Sequence, residues 1–152
     1  MKKQPFLHSF LYAVQGVRTA LREERNLRFH VCTAFYVYVF SLFYEFTRTE
    51  YCLDEAVVGG VMALELVNSS LERAVERPVP ERYMTAGAVK DMAAGAVLVF
   101  SIASAVCGVL LFWDPAAFAR MWRFFLRWPA LAVVLAATLV LAFRFIFGKK
   151  GE

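Results

Sequence analysis

Glu65, Asn68, Glu72 and Glu76 follow one another at intervals of three, four and four residues. On an α-helix, at roughly 100° per residue, that spacing gathers three carboxylates and an amide within about 80° of arc on one face. Like charges stacked this way repel unless a cation sits among them, and near a bilayer the cost is larger. A divalent metal carrying a phosphate suits such a face. Mg²⁺ takes one or two carboxylates and completes its shell with water and phosphate oxygens. A solvated helix end explains Glu76 equally well. It explains Glu65 poorly, because Glu65 lies about two helical turns inside an otherwise apolar stretch, where an acid is functional by default.

Two further groups of polar residues flank apolar stretches: Glu24, Asn26, Arg28 and His30 near the start of the chain, and Lys90-Asp91 later. Each alone reads as an interface anchor or a helix cap, but three stretches converging on one membrane face favour a site. Neither GxxxxGK[ST] nor GxGxxG occurs, so the phosphate cradles of P-loop enzymes and protein kinases are missing. Phosphoryl transfer still needs only metal, cation and a positioned acceptor, which these residues could supply. The three cysteines, Cys32, Cys52 and Cys107, form no CxxC or Cys/His ligand pattern and read as small apolar side chains.

The elements that must hold these residues are membrane helices. Of 152 residues, 60% are hydrophobic and 20% charged. No charge interrupts the 22 residues Met92–Trp113, the 16 residues Trp128–Phe143, or the 16 residues Phe29–Tyr44, where His30 is the polar exception. About 20 helical residues cross the ~30 Å hydrocarbon core. The expected fold is all-α and integral to the membrane, with spans at 29–47, 53–72 and 92–113 and a fourth at 128–147. The span at 53–72 is the ambiguous one, since it carries Asp54, Glu55, Glu65 and Asn68, and its Gly59-Gly60 pair would allow close packing. Ahead of the spans, Phe6, Phe10, Leu11, Val14, Val17 and Leu21 oppose Arg18, Arg22 and Arg25, which predicts an amphipathic surface helix over 5–27. That stretch is too polar for a signal peptide. With the N-terminus cytoplasmic, 13 Lys and Arg fall inside and four outside (Arg48, Arg120, Arg123 and Arg127), and the first outer segment is acidic. The net charge of +4 then follows from topology, and no nucleic-acid partner is expected. The last three of those arginines share one face of Pro115–Trp128, which reads as an interfacial helix.

The run Glu-Leu-Val-Asn-Ser-Ser-Leu-Glu at 65–72 resembles the E-x-x-N-[ST]-[AS]-[IL]-E signature of the small prokaryotic diacylglycerol kinase family. Lys-Asp-Met-Ala-Ala-Gly-Ala-Val at 90–97 resembles its K-D-x-A-[AS]-[GA]-A-V signature. Ala-Val-Gln-Gly at 13–16, followed by Glu24-x-Asn26-x-Arg28-x-His30, is similar to the undecaprenol kinase branch. The resemblance covers about residues 6–113, so the kinase-like domain is expected over 1–113 and residues 114–152 form an extension. It implies a homotrimeric kinase of the plasma membrane with active sites between protomers. It further implies Glu65 as general base, Glu24 and Glu72 as Mg²⁺ ligands that also meet ATP, and Lys90 on the ATP phosphates with Asp91. Asn68, Asn26, Arg28, His30 and Glu76 would have supporting or substrate-binding parts. Three features depart from the family pattern: Glu76 replaces an Asp, no extra basic residue precedes Lys90, and the extension adds a hydrophobic segment.

The expected activity is transfer of phosphate from Mg-ATP to the primary hydroxyl of undecaprenol, with diacylglycerol as the alternative acceptor. A small transporter or proton pathway built on Glu65 is more remote, since it predicts acids spread through the membrane depth rather than gathered at one end. A packing protein without catalysis would leave the acid stack as an unexplained cost.

Overall fold

A break in the helix at Glu24 divides the first part of the chain into two helices set at an elbow. The computed structural model describes residues 6–75 and 83–148, and within them six helices and no strand. They are α1 (Phe6–Glu23), α2 (Arg25–Ser41), α3 (Arg48–Val75), α4 (Tyr83–Phe112), α5 (Pro115–Arg127) and α6 (Pro129–Phe147). The surface helix expected over 5–27 therefore ends four residues early. Glu24 takes extended backbone angles (φ −95°, ψ 116°) and becomes the N-cap of α2. Its N–H closes the last turn of α1 on the Ala20 carbonyl at 2.7 Å, and its carbonyl accepts from the Arg28 N–H at 3.3 Å.

The first span, expected over 29–47, stops at Ser41, where two tight turns follow: Phe43 N–H to the Phe40 carbonyl (3.0 Å) and Tyr44 N–H to the Ser41 carbonyl (2.9 Å). The next helix begins at 48 rather than 53 because Thr47-x-x-Glu50 forms a capping box. The Thr47 N–H donates to Glu50 Oε2 at 2.7 Å, and the Glu50 N–H donates to Thr47 Oγ1 at 3.3 Å. Asp54, counted from sequence with the acids of the first outer segment, is buried inside α3 at 4% exposure. The buried positions of α3, Asp54, Val61, Glu65 and Ser69, recur at seven, four and four residues and define one packed face.

Helices α3 and α4 make an antiparallel hairpin in which Gly60 lies against the Phe100 ring. At 28 and 30 residues they are about 42 and 45 Å long, more than a hydrocarbon core is thick. Helix α2 packs on α3 along one side and on α6 along the other. Two described helices are long and apolar enough to cross a membrane, α4 over Ala86–Phe112 and α6 over Pro129–Phe147, with 0% and 6% of their apolar windows buried. Helices so apolar and so exposed, with Leu98, Val99, Leu110, Val133 and Leu141 all more than 60% exposed, are not core helices of a soluble protein. They face lipid. Helix α2 has only 17 residues, and α3 interrupts its apolar surface with Asp54, Glu55 and Glu65.

Away from the elbow, aromatic rings close the other end of the bundle. Tyr44 meets Phe112 with centroids 4.9 Å apart and donates its hydroxyl to the Phe112 carbonyl at 2.8 Å. Helix α5 starts from an Asp114 N-cap with Pro115 at its first position, the arrangement that leaves fewest stranded N–H groups. Of the three arginines on it, Arg120 is spent within the fold: Nε donates to the Phe43 carbonyl at 2.8 Å, and the two terminal nitrogens pair with Asp114 (3.3 Å) and Glu45 (3.6 Å). Arg123 and Arg127 remain exposed.

Two predictions follow from these contacts. A Cβ on residue 60 would lie 2.5 Å from the Phe100 ring. Gly60→Leu should therefore cost about 1–3 kcal/mol through overpacking, and Phe100→Ala should restore part of it in detergent melting experiments. Bonds from the Thr47 N–H and hydroxyl hold the Glu50 carboxyl below its usual range. Because the folded value is lowered, this contribution is present at neutral pH and lost as pH falls. The melting-temperature gap between wild type and Glu50→Gln should narrow as pH falls through and below the ordinary glutamate range.

Candidate active site

The elbow, the C-terminal half of α3 and the start of α4 meet at one end of the bundle, and the acids meet there. Glu65 is 4% exposed on the packed face of α3. From α2, His30 reaches it with Nε2 3.5 Å from Glu65 Oε1. That is longer than a good N–H···O bond, and such contacts commonly tighten when substrate arrives. The carboxylates of Glu24 and Glu72 both act electrostatically on Glu65, so the elbow and two turns of α3 share one negative field.

One turn beyond Glu65, Asn68 donates Nδ2 to Glu72 Oε1 at 3.2 Å. Its own Oδ1 is buried without a hydrogen-bond partner. An orphaned buried acceptor costs about 1–3 kcal/mol, so it calls for a donor or a cation. Glu24 caps α2 by backbone alone and makes no side-chain cap bond, which leaves its carboxylate free to turn toward α3. There Arg73 binds it at 3.3 Å and also binds Glu23 at 2.8 Å.

The sequence-predicted residues thus divide. Glu24, His30, Glu65, Asn68 and Glu72 come together. In the hairpin register set by Gly60 against Phe100, Lys90 stands level with Ser70 and is half-buried, while Asp91 is exposed. Asn26 is exposed as well. Arg28 turns to the opposite side of the elbow, where it binds backbone carbonyls of Leu21, Arg22 and Ile146. Glu76 lies outside the described residues. Arg73 and Glu23 were not singled out from sequence. The Arg73–Glu24 contact spans 49 positions, and no local spacing signals a pair so distant. Ser69, buried at 5%, could have been found from its place four residues after Glu65.

An apolar groove of about 370 Å³ runs between α2, α3 and α4 and reaches His30. Val37, Val57, Val61 and Leu111 line it, with Ser101 and Ser104 from α4, and Asp54 lies farther along. Its size is that of a small-ligand pocket, and its lining suits hydrocarbon. No three acids, histidines or cysteines among the described residues form a ready metal cage. Mg²⁺ needs none: an all-oxygen set from Glu24, Glu72 and the stranded Asn68 Oδ1 matches its preference for a few protein oxygens beside phosphate.

Residues 11–112 match the family model described as prokaryotic diacylglycerol kinase. Over 107 residues the chain is 36% identical to the undecaprenol kinase of Bacillus subtilis, covering 70% of this chain and 87% of that protein. It is 33% identical over 107 residues to the diacylglycerol kinase of Haemophilus influenzae, covering 70% and 91% of the two chains. The diacylglycerol kinase of Synechocystis is 34% identical over 110 residues, covering 72% of this chain and 63% of its own length. No solved structure matches.

The Arg73 side chain is 42% exposed, and water screens its ion pairs. Arg73→Ala should change unfolding free energy by less than about 1 kcal/mol, as read by denaturation in detergent. A larger loss would mean that the pair holds the elbow in place rather than merely balancing its charge.

Proposed function

This chain belongs to the prokaryotic diacylglycerol kinase family, and from that premise we propose that it is the undecaprenol-phosphorylating kind of lipid kinase. It is a phosphotransferase that uses an alcohol as acceptor. The family and the curated relatives support ATP as donor and a membrane lipid as acceptor. The observation that carries the choice of undecaprenol is the His30–Glu65 contact at the end of the apolar groove. Of the three residues Asn26, Arg28 and His30 that mark the undecaprenol kinase branch in the sequence, His30 is the one that touches the acid cluster. The first-named relative above, an undecaprenol kinase, supports the same choice. Diacylglycerol is the alternative, supported by the names of the other two relatives.

In this reading the lipid chain lies in the groove and its primary hydroxyl reaches Glu65. The Glu65 carboxylate takes the hydroxyl proton as the oxygen attacks the γ-phosphorus of ATP. The bond to ADP breaks, and the products are a lipid phosphate monoester and ADP. His30 orients the Glu65 carboxylate. Glu24 and Glu72 would hold Mg²⁺, which would neutralise charge on the phosphates. Lys90, level with this part of α3, meets the ATP phosphates with help from Asp91, and Asn68 fixes Glu72. The site sits at the cytoplasmic face of a multi-pass plasma-membrane protein whose N-terminus is cytoplasmic, as the Lys and Arg distribution supports. A homotrimer with shared sites is the assembly that the family resemblance supports.

The test offers undecaprenol and diacylglycerol together to the detergent-solubilised protein with Mg-ATP labelled on the γ-phosphate. Label should enter undecaprenol, and chelating Mg²⁺ should stop it. Glu65→Gln should lower turnover by about 10²–10⁴-fold, the usual share of a general base, while the melting temperature holds. Label in diacylglycerol alone would transfer the reading to the other branch. Label in neither lipid from a folded sample would sink it.

A further inference from the structure

Helix α6 lies beyond residue 112, where the family match ends, yet its last turn is bonded to the elbow that carries Glu24. One side chain makes the joint. Arg28 Nη1 donates to the carbonyls of Arg22 (2.9 Å) and Leu21 (3.4 Å), at the end of α1. Its Nη2 donates to the carbonyl of Ile146 at 3.2 Å, at the end of α6. Helix C-termini present stranded carbonyls and a partial negative charge, and a single guanidinium here answers two of them. Beside it the Arg25 guanidinium stands 5.9 Å over the Phe147 ring, and Ile146 is buried.

We infer that Arg28 and the end of α6 form a strut that positions Glu24 for metal binding. This rests on the reading of Glu24 as a metal ligand. Glu24 lies between the carbonyls that Arg28 binds on α1 and Arg28 itself on α2, in the one extended residue of the elbow. No side-chain cap fixes that residue, so the angle between α1 and α2 is set by groups that bridge them, and Arg28 does so most directly. Helix α6 in turn cannot slide along α2. Tyr36 donates to Thr138 Oγ1 at 3.3 Å in mid-helix, and from α5 Arg120 holds the Phe43 carbonyl at the far end. A helix that only anchored the chain in lipid would need apolar contact with α2. It would not need a half-buried guanidinium, whose Nε is buried without a hydrogen-bond partner. An error of about 1 Å in a ligand's placement can cost on the order of 10²-fold, so a strut of this kind has something to act on.

The test uses the full chain in lipid nanodiscs, unmodified, as Arg28→Lys, and as the pair Ile146→Ala with Phe147→Ala, which touches none of the acids. Lysine keeps the charge but lacks the fork that spans both helix ends. Three quantities are read: amide hydrogen exchange over residues 24–28, Mn²⁺ affinity by electron paramagnetic resonance, and KM for Mg-ATP against kcat. Both variants should exchange about tenfold faster at the elbow. Mn²⁺ binding should weaken and KM for Mg-ATP should rise about fivefold or more. In the Ile146/Phe147 variant kcat should stay within about twofold, the pattern of lost binding rather than lost chemistry. Combining all three substitutions should add little to Arg28→Lys alone, since they break one joint. If the alanine pair fails to fold, Phe147→Leu removes the ring under Arg25 at similar volume and is read the same way. Unchanged exchange at the elbow would overturn the inference. So would faster exchange with unaltered Mn²⁺ affinity. If the unmodified protein phosphorylates no lipid, the kinase reading fails by itself, while exchange and Mn²⁺ binding still decide the strut.

Discussion

Burying the Glu65 carboxylate next to hydrocarbon is the constraint on which the rest of this structure turns. An acid in that position carries a desolvation penalty that packing alone does not offset, and two more carboxylates lie close enough to repel it. The surroundings answer in a definite order. The packed face of α3 withdraws Glu65 from lipid, and His30 approaches from α2. Asn68 occupies one oxygen of Glu72, and Arg73 offsets Glu23 and Glu24. What remains is an excess of negative oxygen and one stranded buried acceptor, Asn68 Oδ1. Such an arrangement would suit a cation with phosphate ligands, as the proposed function requires.

The helical architecture follows from the same need. Acids can sit among apolar helices only if a helix turns them inward, and α3 turns Asp54 and Glu65 onto its packed face while Glu55 stays exposed. The α3–α4 hairpin supplies that inward surface along its length, with Gly60 letting the Phe100 ring fit close. The groove beside it is mostly apolar, with His30 toward the acid cluster and Asp54 farther along. Helix α2 has two duties. One side presents His30 to the site, and the other binds α6 through Tyr36 and, at its first turn, through Arg28.

The two arginines inside the fold illustrate how membrane helices use cations. Arg28 and Arg120 lie at opposite ends of the α2 region, and each spends its guanidinium on backbone carbonyls as well as, for Arg120, on acids. Counting positive charges loop by loop treats every arginine as a topology marker. In three dimensions some of them are fasteners, and Arg120 among the outer arginines is one.

Much of this was legible in the residues themselves. Hydrophobic runs about 20 residues long admit few structures besides membrane helices, and the spacing of Glu65, Asn68 and Glu72 dictates a common face whatever surrounds it. Both are local properties, set by helical rise and turn. Helix ends were less legible, because a cap depends on backbone bonds: Thr47 with Glu50 moved the start of α3 five residues earlier, and Glu24 broke the helix four residues before the expected end. Least legible were contacts between distant parts of the chain. Asn26 and His30, four residues apart, share one face of α2 and Arg28 lies opposite: His30 reaches the acid, Arg28 the end of α6, and Asn26, one turn nearer the elbow, is exposed. Composition and periodicity determined which residues could form a site and that helices would carry them. Tertiary structure alone decided which of those residues meet, because the partners of Arg28 and Arg73 lie 118 and 49 positions away and nothing local encodes such distances.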